Sequence, residues 1–353
     1  MLKFDDFRRA ILVDRRTFLT GIFGATTALC SQAKGQSRQF HMTYTNPVQF
    51  RLDQLTTATF AASTHAEHEV FWGKMEPNEW LRNIKETVRI DQDEMSLPLD
   101  SFQEKTWQKR PYWSLLIPQA KLKSRTQIRV LRTVEGDRYE PHIVDGKATT
   151  IATPDEKLIK QLTGIFSHCD YNEPAFDNWM KTASLARRPG ESALDFAWRV
   201  YEWMRKNIRY DATLPYPKGA LDVARHGYGE CGRQFELYST ILRANNVPVK
   251  GYYGTHPSKQ IKQLNTHVWG EFYAEGTGWV PIDSAGVCFG YHSHQCIPFQ
   301  TTFDIVPYHV VSAIAGKEID LNCAVRPIVL QRNMSNRDQP SFEHKDWARL
   351  NGK

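Results

Sequence analysis

The most constraining feature of this sequence is a pair of strand-like segments joined by a short loop. Residues 266–273 (Thr-His-Val-Trp-Gly-Glu-Phe-Tyr) and residues 279–283 (Trp-Val-Pro-Ile-Asp) both alternate in polarity along the chain. The intervening Ala274–Gly278 contains two glycines, which suits a turn of about five residues. The pattern therefore predicts an antiparallel hairpin in which Tyr273 pairs with Trp279.

This register brings a histidine and a carboxylate together. If Tyr273 pairs with Trp279, Asp283 lies opposite Trp269 and diagonally beside His267. His267 and Asp283 both carry odd numbers, so they project from the same face of the hairpin. Diagonal neighbours lie roughly 7–8 Å apart, within bridging distance of an imidazole and a carboxylate. A slip of one residue in one strand would place them on opposite faces, so the pairing requires an even register.

A third residue, Cys231, lies in a glycine-rich segment directly before a helical pattern. Glycines flank it at 227, 229 and 232, and apolar residues recur at helical spacing over Phe235–Asn245. At a helix N-terminus the macrodipole and the free backbone N–H groups favour a thiolate, and a neighbouring imidazolium favours it further. Taken alone, this segment is more typical of a buried structural cysteine. In combination with the hairpin it predicts a nucleophile.

Together the three side chains match an activated-nucleophile arrangement. Asp283 orients the imidazole of His267 and supports its cation, and the other ring nitrogen is then available to deprotonate the thiol of Cys231. Cys231 is thus predicted to attack, with His267 as base and then acid. The backbone N–H of Cys231 is the predicted oxyanion donor. The second donor, an aromatic or amide side chain before the loop, stays open.

The segments around these residues resemble the transglutaminase-like superfamily of cysteine enzymes. The matching segments are Gly229-Glu230-Cys231 (G-x-C), Leu242–Lys250 (LLRA-x-GIPAR), His267-Val268-Trp269-Gly270-Glu271 (H-x-W-x-E), Trp279-Val280-Pro281-Ile282-Asp283 (W-x-P-x-D) and Asn207-Ile208-Arg209-Tyr210 (a Tyr-ending helix before the nucleophile loop). The resemblance covers about 155–290. Asn246 stands where the family usually has Gly, and Lys250 where it usually has Arg.

The resemblance implies an α+β fold with a papain-like core, in which the helix that bears Cys231 packs on an antiparallel sheet that carries His267 and Asp283. It also implies acyl transfer from an amide or peptide through a Cys thioester. The sequence predicts no cofactor. Residues 151–330 are the expected catalytic domain. Helical spacing over Asp155–Ile165 and a capping pattern at Ser192 predict helices there.

The sequence outside the resemblance predicts further regions. Residues 40–150 read as an antiparallel β domain, because Tyr112–Ile117 and Gln127–Val134 are rich in aromatic and branched side chains. The second of these strands is expected to stop at the turn-forming residues 135–137. A helix is predicted over Glu76–Arg89, and residues 335–353 are expected to form a loosely held polar tail.

Residues 1–33 have the features of an export signal. Basic side chains come first, a short apolar stretch over Gly21–Leu29 follows, and Ser31-Gln32-Ala33 is a small-x-small cleavage pattern. Arg15-Arg16-Thr17-Phe18-Leu19 resembles the twin-arginine signal R-R-x-F-L. The expected destination is the periplasm or the cell exterior. An amphipathic N-terminal helix and a lipid anchor at Cys30 are the alternatives.

Composition and cysteine content narrow the classes of function. The 45 Lys and Arg residues against 39 acidic ones form no dense basic run, which argues against a nucleic-acid partner. No segment after the signal is long and apolar enough for a membrane span. Cys288, His292, His294 and Cys296 allow either a zinc site or a disulfide between the two cysteines. If Cys231 is reserved for chemistry, two disulfides remain possible among Cys169, Cys288, Cys296 and Cys323.

The predicted function is therefore an exported cysteine enzyme that acts on amide bonds of peptides or proteins, cell-wall peptide among them. Hydrolysis is favoured because water is abundant and the sequence shows no site for a second substrate. Two alternatives stay open: a protein-glutamine transamidase, and a non-catalytic binding or scaffold protein with a transglutaminase-like core. The substrate and the oligomeric state are not readable from the sequence.

Overall fold

The computed structural model describes most of the chain from Gln39 onward. The described ranges are 39–59, 68–75, 77–90, 95–97, 103–107, 110–117, 127–146, 153–164, 171–215, 217–256, 265–286, 288–291, 297–302, 310–314, 317–321, 328–331 and 341–351. The predicted export signal and Cys30 lie outside the described residues. Residues Gln39–Lys353 belong to one unit.

Eighteen strands and five helices are described. The strands are β1 (Phe40–Thr59), β2 (His68–Gly73), β3 (Leu81–Ile90), β4 (Met95–Leu97), β5 (Gln103–Trp107), β6 (Arg110–Ile117), β7 (Gln127–Asp145), β8 (Arg209–Tyr210), β9 (Tyr228–Gly229), β10 (Val249–His256), β11 (Asn265–Ala274), β12 (Gly278–Asp283), β13 (Cys288–Phe289), β14 (Ile297–Thr302), β15 (Val310–Ile314), β16 (Lys317–Leu321), β17 (Ile328–Gln331) and β18 (Ser341–Asn351). The helices are α1 (Glu156–Thr163), α2 (Pro174–Thr182), α3 (Ala193–Asn207), α4 (Ala220–His226) and α5 (Cys231–Ala244).

The N-terminal region forms two antiparallel sheets. One sheet has the order β18-β1-β7-β3-β4 and the other has the order β17-β2-β6-β5. In β1 every second residue from Phe50 to Ala58 is buried, because side chains alternate between the faces of a strand. Val70 and Trp72 of the second sheet share one buried cluster with Val88 of the first. The two sheets are therefore packed against each other through an apolar core.

Two sequence predictions in this region need correction. The segment predicted as a helix over Glu76–Arg89 contains β3, in which Glu86, Val88 and Ile90 are buried alternately. A period of two with branched side chains favours a strand over a helix. The strand expected to stop at Val134 continues to Asp145, since residues 135–137 stay paired with β1. Neighbouring strands on both sides hold this segment extended.

The C-terminal segment that the sequence predicts to be a polar tail is a strand of the first sheet. β18 pairs antiparallel with β1 over eleven positions, from Thr59 opposite Ser341 to Gln49 opposite Asn351. Exposed Glu343 and Lys345 form an ion pair on this strand. Charged side chains are typical of edge strands, and their polarity conceals the strand in the sequence. β17 likewise pairs with β2, so the end of the chain returns to the N-terminal sheets.

The second region places helices on a five-stranded antiparallel sheet of order β13-β12-β11-β10-β14. Ser192 caps α3, as the sequence predicts, and Asp155 caps α1. Helix α5 lies against β11 at Gly270, where an added Cβ would come within 2.0 Å of the Phe235 ring. Only glycine permits this close approach of helix and sheet. The α+β fold with a cysteine-bearing helix on an antiparallel sheet is confirmed.

The other face of this sheet meets the N-terminal region. Tyr252 of β10 and Trp269 of β11 belong to one buried cluster with Phe50 of β1, Val134 of β7 and Trp80, which directly precedes β3. A backbone hydrogen bond from Ile143 N to Gly290 O (2.7 Å) joins the two regions at another point. None of the described helices is long and apolar enough to cross a membrane.

Candidate active site

Cys231 is the first residue of α5. Glu230 caps this helix: its carboxylate accepts from the backbone N–H of Gly232 (2.6 Å) and of Arg233 (3.1 Å). A carboxylate at this position satisfies amides that have no partner within the helix. The cap does not use the N–H of Cys231. The thiol-bearing residue is 9% exposed, so only a narrow part of it meets solvent.

His267 and Asp283 lie together as the predicted register requires. Tyr273 pairs with Trp279, and the pairing extends to Gly270 opposite Ile282. This confirms the predicted hairpin register. Nε2 of His267 lies 2.6 Å from Oδ2 of Asp283. The side chains of the two residues are 15% and 5% exposed.

The carboxylate of Asp283 is held from a second side. Its Oδ1 accepts a hydrogen bond of 2.7 Å from the backbone N–H of Gly286, while Oδ2 faces His267. A Cβ on Gly286 would lie 2.2 Å from Oδ2 of the same carboxylate. Both oxygens of Asp283 are thus engaged, and the turn that follows β12 has no room for a larger residue at 286. This turn fixes the direction in which Asp283 points.

The imidazole of His267 is held in a state that favours protonation. Burial by itself lowers the pKa of His267, but the charge and hydrogen bond of Asp283 outweigh it, and contact with Cys231 raises the pKa further. The net result is a pKa well above the usual value of 6.5. Since Nε2 faces Asp283, Nδ1 is the ring nitrogen available to the thiol. The structure therefore brings all three residues predicted from the sequence into one cluster.

Tyr210 borders this cluster. Its backbone pairs with Gly229, two residues before Cys231, in the short parallel pairing of β8 and β9. Partial burial, together with the negative charges that Cys231, Glu230 and Asp283 can carry, raises the pKa of Tyr210 to about 12. The phenol therefore keeps its proton at neutral pH and can donate a hydrogen bond.

Comparisons with known proteins agree with this geometry. Residues 180–284 match the family model of the transglutaminase-like superfamily. They form a transglutaminase-like domain. No curated protein matches the chain.

Solved structures extend the comparison beyond this domain. A proposed cysteine protease from Cytophaga hutchinsonii superposes with a TM-score of 0.55 at 13% identity, over 88% of this chain and 93% of its own. At this identity the likeness shows a shared fold. Legionella pneumophila LapG aligns with a TM-score of 0.28 at 17% identity, over 43% of this chain and 85% of its own. A red sea bream transglutaminase aligns with a TM-score of 0.29 at 12% identity, over 62% and 45%.

The two departures from the family pattern have structural counterparts within the transglutaminase-like domain. Asn246 has a φ of 58°, a left-handed conformation that suits Gly and that Asn tolerates. Lys250 pairs across the strands with Glu271, and its Nζ lies 2.8 Å from that carboxylate. Lys250 Nζ also lies 4.2 Å from the centre of the Trp279 ring. Lysine thus supplies the positive charge that the usual arginine would provide.

Of the four residues that the zinc and disulfide alternatives at 288–296 involve, the structure describes one. Cys288 is described and its thiol lies 3.6 Å from the carbonyl oxygen of Gly286. His292, His294 and Cys296 lie outside the described residues, as do Cys169 and Cys323. Among the described residues no group of three or more His, Cys, Asp or Glu side chains could hold a metal ion. Both alternatives stay predictions.

Sequence reasoning did not single out the residues that hold the cluster in place. Gly286 stands three residues after Asp283, and an Asp followed by a glycine turn is a recognised signal for a side chain that bonds its own backbone. Glu230 directly before a helix is a possible capping signal, although Ser, Thr, Asp and Asn are the usual caps. The burial of Trp269 and Trp80 in one cluster has no local signal, since 189 residues separate them.

Proposed function

We propose that this chain is an exported cysteine hydrolase that cleaves amide bonds of peptides or proteins through an acyl-thioester on Cys231. The observation that supports it most is the arrangement of His267, which contacts Cys231 on one side and bonds Asp283 at 2.6 Å on the other. An arrangement of this kind is one that activates a thiol as a nucleophile. A fold shared with a proposed cysteine protease agrees with the assignment.

In the first half-reaction the thiol proton passes to Nδ1 of His267 and the thiolate attacks the carbonyl carbon. The new C–S bond forms as the carbonyl π electrons move to oxygen. When the C–N bond breaks, the amine takes the proton from His267 and leaves. The negative charge of Asp283 stabilises the imidazolium between these two transfers. The product is a thioester on Cys231 and a free amine.

The oxyanion formed in this step needs hydrogen-bond donors. The backbone N–H of Cys231 lies at the helix terminus and is outside the Glu230 cap. Tyr210 lies beside Cys231, and its raised pKa of about 12 keeps the phenol protonated. We assign these two groups as the donors, which fills the position that the sequence left open.

In the second half-reaction His267 accepts a proton from water, whose oxygen attacks the thioester carbon. The C–S bond then breaks and Cys231 leaves as a thiolate, which restores the thiolate–imidazolium pair with His267. A carboxylic acid is released. An amine in place of water would give transamidation instead, and both outcomes use the same acyl-enzyme.

The first experiment measures the reactivity of Cys231. An ordinary thiol is below about 1% thiolate at pH 6, whereas a thiolate–imidazolium pair is reactive there. Purified protein is treated with iodoacetamide at pH 6, and the modified cysteines are mapped by mass spectrometry. We expect rapid labelling at Cys231 and a large loss of rate in His267→Ala. Cys231→Ala serves as the control. Slow labelling that His267→Ala leaves unchanged would refute the enzyme and support the scaffold alternative.

The second experiment separates hydrolysis from transamidation. Peptide release and amine incorporation are measured side by side on a peptide library, with Cys231→Ala as the blank. Release that exceeds amine incorporation supports the hydrolase, and the reverse supports the transamidase.

A third experiment tests Tyr210 as an oxyanion donor, since Tyr210→Phe removes the hydroxyl and keeps the ring. Loss of one oxyanion donor should lower kcat about 10²-fold with little change in KM. An unchanged kcat would remove Tyr210 from this role.

Export is part of the proposal and depends on residues 1–33 alone. The twin-arginine pattern at Arg15-Arg16 is the sequence feature that supports it. A double change of Arg15→Lys and Arg16→Lys keeps the charge but removes the pair. Fractionation of cells should show the wild-type chain outside the cytoplasm and the double variant retained inside. Equal export of both would refute this route.

A further inference from the structure

Exposed apolar side chains are few among the described residues, and their positions are uneven. The large apolar side chains with high exposure in the described part of the chain are Leu116 (37%), Tyr210 (40%) and Leu214 (38%). Leu116 lies on β6 in the N-terminal region. Tyr210 and Leu214 lie in the segment that leads to the nucleophile. A single exposed leucine needs no explanation, but an exposed tyrosine that borders the nucleophile and an exposed leucine on the same short segment suggest contact with a ligand.

The loop that carries these residues is anchored beside Cys231 at both ends. The N–H of Asp211 donates to the carbonyl of Gly229 (3.2 Å), and the hydroxyl of Tyr228 donates to the carbonyl of Pro215 (3.0 Å). Within the loop, Oδ1 of Asp211 accepts from the N–H (2.9 Å) and the hydroxyl (2.7 Å) of Thr213. The loop is therefore held in place by the two residues, 228 and 229, that precede the Glu230–Cys231 pair.

A substrate must reach a thiol that is only 9% exposed. Its carbonyl can arrive only along the surface that borders Cys231, and Tyr210 forms part of that border. An apolar surface that is already ordered loses little entropy when a ligand covers it. Covering two apolar side chains is also favourable in itself. A peptide that lies against the loop would therefore gain most from an apolar side chain.

We propose that Tyr210 and Leu214 form a subsite that binds one large apolar side chain, of the Leu or Phe type, in the acyl part of a peptide substrate. The proposal rests on the acyl transfer proposed above and specifies its substrate class. Peptides with Leu or Phe near the attacked amide are preferred over peptides with Gly or a charged residue there. The ring of Tyr210 contributes the contact, and its hydroxyl the separate oxyanion role.

Peptidyl chloromethyl ketones test the subsite without requiring turnover, since they alkylate Cys231 directly. The probes carry Leu, Phe or Gly at the first or second residue from the reactive carbon, and each rate is divided by the rate with iodoacetamide. Wild-type protein should react at least about tenfold faster with a Leu or Phe probe than with the Gly probe. Leu214→Ser should reduce this ratio to below about threefold. Leu116→Ser, which alters an equally exposed leucine elsewhere, should keep the wild-type ratio.

The outcomes distinguish a failure of the proposed subsite from a failure of the proposed hydrolysis. A ratio near one in wild-type protein, or an equal ratio in Leu214→Ser and Leu116→Ser, overturns the subsite. Tyr210→Phe should keep the ratio, because the ring remains, and loss of the ratio in that variant would contradict a contact made by the ring. Failure of the proposed hydrolysis would appear instead as absent peptide release while the probe ratios persist.

A second inference is carried by an independent observation, a chain of ring contacts that runs from the N-terminal sheet to His267. Arg138 of β7 lies over Trp80, with its guanidinium carbon 4.2 Å from the ring centre. Trp80 meets Tyr252 edge to face at 5.2 Å and 83°, and Tyr252 lies 6.0 Å from Trp269. Trp269 stacks on the imidazole of His267 at 5.8 Å and 19°. We call Trp80, Tyr252 and Trp269 the aromatic stack.

The members of the aromatic stack have no room to move independently. Trp80 and Tyr252 are each 1% exposed, and Trp269 is fully buried. Close-packed interiors transmit a displacement from one side chain to the next. A change at Trp80 therefore shifts the surface on which the imidazole of His267 rests.

The geometry points to the N-terminal sheet as the element that positions His267 through the aromatic stack. Trp80, Tyr252 and Trp269 are positioning residues in this scheme, because they act through His267, which contacts the thiol. The titratable groups that act on His267 are Asp283 and Cys231. If the stack loosens, the imidazole moves away from Asp283 and loses part of the interaction that keeps it protonated.

Trp80→Leu tests this role, and Trp72→Leu is the matched control. Trp72 is also fully buried and lies under a buried arginine, Arg132, but belongs to the apolar cluster between the two N-terminal sheets. The rate of Cys231 alkylation is measured from pH 5 to 10 in both variants, together with the melting temperature. The change in this rate on the alkaline side of the pH profile, called the alkaline limb, reports the loss of the His267 proton.

Both variants should lose melting temperature, but only Trp80→Leu should move the alkaline limb, to lower pH by at least about 0.5 unit. Trp80→Phe, which restores a ring, should return the limb towards the wild-type position. An alkaline limb at the same pH in Trp80→Leu and Trp72→Leu would overturn the positioning role. If Trp80→Leu does not fold, the same comparison is made between Trp80→Phe and Trp72→Phe, with a smaller downward shift expected in the first alone.

Discussion

At the scale of single residues, the proposed chemistry depends on the small freedom left to Asp283. One oxygen of its carboxylate faces His267 at 2.6 Å and the other accepts from Gly286 at 2.7 Å. Because the side chain is nearly buried, water does not weaken this interaction. Asp283 therefore keeps the imidazole protonated at a pH at which a free histidine would be neutral.

Replacing Asp283 with Asn should show this dependence. Without the negative charge, the pKa of His267 falls from its raised value, and the alkaline limb of Cys231 alkylation moves to lower pH. We expect peptide-hydrolysis kcat/KM to drop about 10³-fold or more. Asp177→Asn, on the exposed face of α2, is the control and should leave both quantities unchanged. An alkaline limb at the wild-type position in Asp283→Asn would contradict the scheme.

The raised pKa of His267 also predicts a pH dependence of stability. Protonation is favoured in the folded state, so this contribution is fully present below the unfolded pKa of about 6.5 and is lost as pH rises through the folded value. The difference in free energy of unfolding between wild type and Asp283→Asn should therefore be larger at pH 6 than at pH 10. Urea titrations at both values measure it. A constant difference would mean that His267 does not gain protons on folding.

Gly286→Ala tests how strictly the carboxylate must be placed. The added Cβ would overlap Oδ2 of Asp283 at 2.2 Å, so the carboxylate or the turn must shift. Small displacements of a catalytic group cost rate steeply, and we expect at least about a 10²-fold loss of kcat. Gly219→Ala is the control, because an added Cβ there meets no atom within 4 Å. Equal activity of the two variants would show that the turn adapts.

At the scale of elements, the sheet of the transglutaminase-like domain contains a buried ion pair. Lys250 of β10 and Glu271 of β11 face each other, and the hydroxyl of Tyr252 also donates to Glu271 (2.7 Å). The lysine side chain is 14% exposed and the glutamate side chain 2%. The pair aligns β10 with β11, the strand that carries His267.

Lys250→Met should destabilise the protein because it leaves the buried charge of Glu271 without its partner, at a cost of about 3 kcal/mol in free energy of unfolding. Lys250→Arg, which restores the charge usual in the family, should cost much less. The control is Lys181→Met, which breaks an exposed ion pair on α2 and should cost below about 0.5 kcal/mol. Urea unfolding followed by circular dichroism measures all three. Equal costs for Lys250→Met and Lys181→Met would show that the buried pair does not stabilise the sheet.

Some elements are readable from the sequence and others are not, for physical reasons. The hairpin of β11 and β12 is readable because polarity alternates and glycines mark its turn, so the positions of His267 and Asp283 follow from the register. β3 is not readable as a strand, since its buried Glu86 is compensated by Arg132 on β7, a partner 46 residues away. β18 is not predicted as a strand because its charged residues give the segment the polarity of a tail. Local patterns thus reveal the candidate site better than the sheets that support it.

At the scale of the whole molecule, the two ends of the described chain lie side by side. β1 is enclosed between β7 and β18, so the C-terminal strand completes the sheet that begins at Phe40. Arg138 of the same sheet lies over Trp80, the member of the aromatic stack that directly precedes β3. The end of the chain is therefore connected to the candidate site through the N-terminal sheet.

Removal of residues 332–353 should destabilise the molecule even though it removes none of the proposed catalytic residues. Loss of β18 leaves one edge of β1 without backbone partners over eleven positions. At about 0.5–1.5 kcal/mol for each hydrogen bond, we expect a loss of several kcal/mol. Urea unfolding compares this variant with one that lacks only residues 352–353. Equal midpoints would show that β18 contributes little.

The pairing of β1 with β18 also determines when the molecule can fold during its synthesis. Gln49 and Asn351 are partners across 302 residues of chain, so a ribosome must make almost all of the chain before the first sheet can close. Pairings at such long separation are slow to form because a large loop must be closed first. The imidazole rests on rings supported by that sheet. A nascent chain should therefore hold its thiol next to an imidazole that is not yet fixed in place, so reactivity develops last.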